Sequence, residues 1–167
     1  MKLRKIINPY LGKNGYNCFG CCPTNPVGLH LQFWEEGDDI VSEWSPNENY
    51  QGWVDTLHGG IIATLMDEVA GWVIPTNLHT SAVTSRLNIQ YKKPVMTTEK
   101  KLTIRAHIVS NVRSFYTIKV TLTDSAGEIC NEAEAVYYAM SKEKATEMGF
   151  EECQYGEIED ATNLEKQ

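Results

Sequence analysis

Apolar and polar residues alternate through most of the second half of the chain. Leu102, Ile104, Ala106 and Ile108 are separated by Thr103, Arg105 and His107. Tyr116, Ile118, Val120 and Leu122 are separated by Thr117, Lys119 and Thr121, and Leu87, Ile89 and Tyr91 alternate with Arg86, Asn88 and Gln90. Ala133, Ala135, Tyr137 and Ala139 repeat the pattern once more. A period of two sends successive side chains to opposite faces, so these runs predict an antiparallel sheet with one buried and one wetted face. Asn111-Val112-Arg113 and Asp124-Ser125-Ala126-Gly127 supply short hairpin connections. Residues 28–35 and 40–44 predict another hairpin, turning at Glu36-Gly37-Asp38-Asp39.

Between these blocks the period changes. Ile62, Leu65, Met66, Val69 and Val73 fall at i, i+3, i+4, i+7 and i+11, one apolar stripe of a helix over 59–74 that Pro75 is expected to end. The buried face of the sheet needs a cover, and this helix is the only sizeable candidate before the C-terminus. The resulting architecture is α+β, a curved antiparallel sheet around one long helix.

A second face of that helix carries Ala63, Asp67, Ala70 and Gly71. Small residues around one acid leave room for a ligand or another chain. An ionised carboxylate in an otherwise apolar helix requires a partner or a task. The plainer reading makes Asp67 a solvated residue, with Glu68 on the same exposed edge. Ahead of it, Leu57-His58-Gly59-Gly60 opens the helix. Backbone N–H groups at such a glycine-rich helix start suit a developing oxyanion. A donor nest followed by a carboxylate points to acyl transfer to water.

Length and composition narrow the setting. With 167 residues, 42% of them hydrophobic, the chain is expected to form one domain over 1–145. Residues 146–167 are read as an acidic C-terminal tail. The net charge of −7 argues against nucleic acid as a partner. No apolar run approaches the ~20 residues that span a bilayer, and the basic start lacks an apolar signal segment. A cytoplasmic protein is therefore expected, and its five cysteines are expected to be free thiols. Cys18-x-x-Cys21-Cys22 invites a zinc reading. Only His30 lies near, however, and Cys130 and Cys153 are isolated, so no metal is expected.

Four segments together carry a resemblance. They are Asn17-Cys18-Phe19-Gly20-Cys21-Cys22 with Asn25-Pro26-Val27-Gly28-Leu29-His30-Leu31; Gln51-Gly52-Trp53 leading into Leu57-His58-Gly59-Gly60; Ala63-Thr64-Leu65-Met66-Asp67-Glu68; and Leu87-Asn88-Ile89-Gln90-Tyr91-Lys92-Lys93-Pro94. In this order and spacing, from about Asn17 to Ala139, the chain resembles the hotdog-fold acyl-CoA thioesterases of the phenylacetate-pathway and thioesterase-superfamily-member type.

The resemblance implies that Asp67 is general base or nucleophile and that Gly59 offers its backbone N–H to the oxyanion. It further implies that Gln51 helps hold the carbonyl or the water and that Thr84 orients water. His58 and Gly60 complete the substrate-side turn, with His58 shaping the helix start. Some relatives carry Asn where this chain has Gly52. Water is the only cosubstrate, and neither metal nor organic cofactor is implied. Coenzyme A is anionic, so Lys92, Lys93 and Arg113, at strand ends or turns, are candidates for its phosphates. Trp53 and Trp72 are candidates for the acyl pocket.

Gly59 and Asp67 are eight residues apart, roughly 12 Å along one helix. They cannot reach one carbonyl from the same chain. Either the pair is not catalytic, or each site is shared between two copies in a homodimer or dimer of dimers. Two rival readings remain: a hotdog module that binds acyl-CoA without cleaving it, and a hotdog hydratase or dehydratase. The first usually accompanies a DNA-binding domain, for which no helix-turn-helix pattern is present. The second needs a His near the Asp, and none follows Asp67 before His79.

Overall fold

Helix α1 (Gly59–Leu78) lies against one face of an eight-stranded antiparallel sheet in the computed structural model, which describes residues 2–160. The strands are β1 (Lys2–Ile7), β2 (Phe33–Glu36), β3 (Asp39–Trp44), β6 (Ala82–Tyr91), β7 (Leu102–Val112), β8 (Phe115–Thr123), β9 (Ile129–Ala139) and β10 (Gln154–Asp160). Their order across the sheet is β10-β1-β2-β3-β7-β8-β9-β6. A small separate hairpin, β4 (Gln51–Trp53) and β5 (Thr56–Leu57), delivers the chain to the start of α1.

The apolar stripe does what its spacing predicts. Leu65, Met66, Val69 and Val73 are fully buried, and Ile62 nearly so. They meet the inward positions of the alternating strands, where Leu102, Ile104, Ala106, Ile118, Val120, Leu122 and Ala135 are likewise inaccessible. The predicted architecture of one helix in a curved antiparallel sheet is the observed one.

Three local expectations change. Pro75 lies inside α1, which continues to Leu78 and ends on His79 in the left-handed region (φ 54). Next to the proline, Thr76 donates its hydroxyl to the carbonyls of Trp72 (2.7 Å) and Val73 (3.0 Å). The strand expected over 28–35 starts only at Phe33, although its pairing across the turn, Trp34 with Val41, fits the expected hairpin. Residues 29–31 instead clamp the cysteine-rich turn, with Leu29 N–H bonded to Phe19 O (2.8 Å) and Leu31 N–H to Gly20 O (2.9 Å). Finally, a short helix α2 (Lys142–Glu147) crosses residue 145, and β10 joins the main sheet by pairing with β1. The acidic stretch is thus partly strand, and its last residues, 161–167, lie outside the described range.

One irregularity aims the site. The pairing of β6 with β9 slips between Thr84 and Arg86, leaving Ser85 as the extra residue of a bulge. Strict alternation from Leu87 and Ile89 would put Ser85 and Val83 on the inner face. The bulge puts Thr84 there instead, opposite Tyr137.

Because Leu65 is fully enclosed, Leu65→Ala should lower the unfolding free energy by about 3 kcal/mol. Denaturant unfolding checks this, and a loss below ~1 kcal/mol would mean that the helix is not the packing centre.

Candidate active site

Asp67 projects from α1 toward the inner end of the bulged edge. Thr84 donates its hydroxyl to Asp67 Oδ1 at 3.0 Å, and Tyr137 donates to the same oxygen at 2.5 Å and to the Asp67 carbonyl at 2.7 Å. Burial, and next the charge of Asp67, push the Tyr137 phenol well above its ordinary value, so it stays a proton donor. Oδ2 receives no hydrogen bond among the described residues. One oxygen is therefore held by two hydroxyls while the other is free to act on a ligand.

These three residues line a cavity of about 290 Å³ together with Gly71 and Trp72. Trp72, a candidate for the acyl pocket, lies in this wall, stacked on Phe33 at a centroid distance of 4.7 Å. Trp53 does not: it is 81% exposed at the tip of the β4–β5 hairpin, beside the 71% exposed Val54.

Beside Asp67 the same cavity is lined by a cluster of one carboxyl and two thiols. Glu68, expected on an exposed edge, turns inward, where its Oε1 accepts from Cys18 Sγ (3.4 Å) and Trp72 Nε1 (3.3 Å). Burial, opposed by a hydrogen bond from Cys21, brings its carboxyl up to about 7. Hydrogen bonding from Cys21 takes the Cys18 thiol down to about 5, and the same bond together with burial pushes Cys21 far up. All five cysteines are free thiols.

At the start of α1, His58 is the N-cap, its Nδ1 accepting from Gly60 N–H at 2.8 Å. Tyr91 donates its hydroxyl to Gly59 O at 2.9 Å. The Gly59 N–H has no acceptor among the described residues, which leaves it available to an incoming oxygen. Gln51, His58, Gly60 and Thr64 line a second, open depression. The Gln51 side chain turns back to accept from Asp55 N–H at 3.2 Å. The residues expected to form one site therefore fall into two groups within a chain, Asp67 with Thr84 and Gly59 with His58, Gly60 and Gln51.

The expected phosphate contacts are distributed differently. Lys92 is ion-paired with Glu132, and Lys93 with Asp124 (2.7 Å) and Glu128. Arg113 occupies a left-handed position (φ 54) in the β7–β8 turn, at the far end of the strands from Lys92 and Lys93. It forms no ion pair among the described residues, whereas both lysines are already neutralised. His79 bonds Glu152 through Nδ1 at 2.9 Å.

Tyr137 and Glu68 are absent from the residues marked out by sequence. Tyr137 is the one large inward residue in a run of alanines on β9, a signal that could have flagged it. Nothing in the spacing distinguishes Glu68 from a solvated neighbour of Asp67.

Comparison with known proteins follows the same lines. Residues 55–131 match the model of the thioesterase superfamily. The fold is that of a solved thioesterase superfamily protein at 20% identity and a TM-score of 0.67, over 72% of this chain and 59% of that one. It is also that of a Streptococcus mutans UA159 protein bound to acetyl CoA, at 22% identity and a TM-score of 0.60, over 67% of this chain and 90% of that one. The E. coli PaaI protein from the phenylacetic acid degradation operon shares it at 14% identity and a TM-score of 0.61, over 68% and 82% of the two chains. No curated protein matches significantly. The hotdog thioesterase-superfamily resemblance read from the sequence is borne out by both the family match and the fold. No helix among the described residues is long and apolar enough to cross a membrane.

Two measurements test this geometry. Tyr137→Phe removes a buried donor from a charged acceptor and should destabilise the fold by about 2 kcal/mol in denaturant unfolding; no change would mean that the contact to Asp67 is not made. The bond from Lys93, followed by those from the Glu128 and Ala126 amides, holds the Asp124 carboxyl down to about 2 from 3.8. A carboxyl lowered in the folded state stabilises it above the ordinary value, and that contribution disappears as pH falls from about 4 towards 2. In Lys93→Met, NMR titration of Asp124 should return towards 3.8; an unmoved titration would mean that Lys93 is free to bind phosphate.

Proposed function

We propose that this chain hydrolyses the thioester of an acyl-CoA-type substrate to the free acid and thiol. The observation that carries the reading is the Asp67 carboxylate in the cavity wall, with Oδ1 fixed by Thr84 and Tyr137 and Oδ2 free. Water attacks the thioester carbonyl while Asp67 accepts its proton, or Asp67 attacks first and water releases the acyl group. Both routes break the carbon–sulfur bond, and the proton ends on the leaving thiolate. Thr84 and Tyr137 position the carboxylate, since their hydroxyls fix one oxygen and with it the direction of the other. The acetyl CoA held by a protein of the same fold supports the substrate class.

Each site is completed by a second copy of the chain, in a homodimer or dimer of dimers. Gly59 N–H of one copy then acts as oxyanion donor beside Asp67 of the other. Three features support this. The two groups of site residues are separated along α1, with Gly59 at its first turn and Asp67 near its middle. The edge strand β6 is exposed along most of its length, including Val83 at 45% and Tyr91 at 53%. The exposed apolar tip at Trp53 and Val54 adjoins the Gly59 group. Of the candidate phosphate ligands, Arg113 is the one that needs to release no carboxylate first.

Free-thiol release from a panel of acyl-CoAs, aromatic through long-chain, tests the reading. Asp67→Asn should retain binding and lose ~10²–10⁴-fold in kcat. A folded Asp67→Asn that turns over at the wild-type rate would refute the assignment of Asp67. Acyl-CoA binding without turnover by the wild type would favour a binding module.

A further inference from the structure

We propose that Cys18, Cys21 and Glu68 form a binding site for a divalent transition-metal ion of the zinc class, in the cavity wall beside Asp67. This inference is independent of thioester hydrolysis. The two sulfurs and a Glu68 carboxylate oxygen all lie within 4.8 Å of one another. Cys18 Sγ and Glu68 Oε1 are 3.4 Å apart. Tetrahedral zinc, with bonds of ~2.3 Å to sulfur and ~2.0 Å to oxygen, separates two such ligands by roughly 3.5 Å. Small side-chain rotations close the remaining distance around an ion.

The donor chemistry fits. Two thiolates and a carboxylate suit zinc among the common divalent ions, and three protein ligands leave a fourth position for water from the cavity that all three line. Spacing along the chain offers no second pair of cysteines or histidines, which is why the sequence argues against a metal. The third ligand comes from α1, brought over the Cys18–Cys21 turn by tertiary packing.

The surroundings are built for anionic sulfur and oxygen. Asn8 donates to the Tyr16 hydroxyl at 2.7 Å, which leaves the Tyr16 proton to be directed at Cys21 Sγ, 3.0 Å away. Trp72 Nε1 bonds the Glu68 carboxylate at 3.3 Å, an outer partner of the kind that orients a metal ligand. No lysine or arginine bonds any of the three ligands among the described residues, so the negative charge they acquire on giving up protons to a metal is met by the ion itself. Gly20 fits the same design. A Cβ there would stand 2.4 Å from the Glu68 carboxyl carbon, so only glycine lets the turn approach the carboxylate. Bound metal would tie the N-terminal segment to the helix that carries Asp67.

The test uses the full-length protein, purified under reductant after growth with added zinc. Mass spectrometry of its metals should find one zinc per chain. Cobalt added to the zinc-free protein should give thiolate-to-cobalt charge-transfer absorption and the intense visible bands of a tetrahedral site. Cys18→Ser, Cys21→Ser and Glu68→Gln should each weaken zinc binding at least ~10-fold, while Cys130→Ser leaves it unchanged. Absence of both retained zinc and the cobalt spectrum in reduced wild type would overturn the site. So would a Cys18–Cys21 disulfide that persists under reductant, or metal retention unchanged by Cys18→Ser. Should Glu68→Gln fail to fold, the wild-type cobalt spectrum and Cys18→Ser still decide. The activity assay is separate, so a failed metal site leaves the hydrolysis reading standing, and the reverse also holds.

Discussion

Everything in the site depends on how α1 is seated against the sheet. The stripe from Ile62 to Val73 is removed from water against β7, β8 and β9, and this seating leaves the Asp67 side facing the cavity and the bulged edge. A helix with one completely enclosed side cannot rotate without exposing several large side chains. Asp67 and Glu68 are therefore fixed by apolar contacts on the far side of their own helix. The polar groups that touch them adjust a position already determined.

The bulge at Ser85 provides the second constraint. It adds one residue to β6 and so changes which face the beginning of that strand presents. Thr84 becomes the neighbour of Tyr137, and two hydroxyls converge on one carboxylate oxygen. A regular ladder would direct Thr84 away and place Ser85 on the inner face. An apparent imperfection in the sheet thus arranges the polar contacts of Asp67.

Much of this was legible before any coordinates. The alternation in β7, β8 and β9 and the five-residue stripe of α1 report burial directly, because a period of two or 3.6 is the imprint of a face. Asp67 stood out as a carboxylate on an apolar helix. What escaped depends on contacts between distant parts of the chain. Glu68 turns inward because the Cys18–Cys21 turn is clamped over it by residues 29–31, a tertiary event with no local signature. The course of α1 beyond Pro75 is set by its packing against the sheet, with Ile74 and Thr76 on either side of the proline both buried. The β10 strand is an acidic segment whose partner lies at the other end of the chain, with Arg4 of β1 stacked on Tyr155 along that seam. Thr84 was singled out only through the family resemblance, since alternation alone points it away from Asp67.

Pro75 has one more consequence. Lacking an N–H, it cannot donate to the carbonyl of Gly71 one turn earlier, and Gly71 has no side chain to screen that oxygen. Both residues line the cavity. Close to the bulged edge, where a Cβ on Gly71 would stand 3.5 Å from the Tyr137 hydroxyl, the helix therefore carries a carbonyl without its i+4 donor. The stretch of α1 just behind Asp67 is thereby held less by its own backbone ladder than by the sheet it packs against.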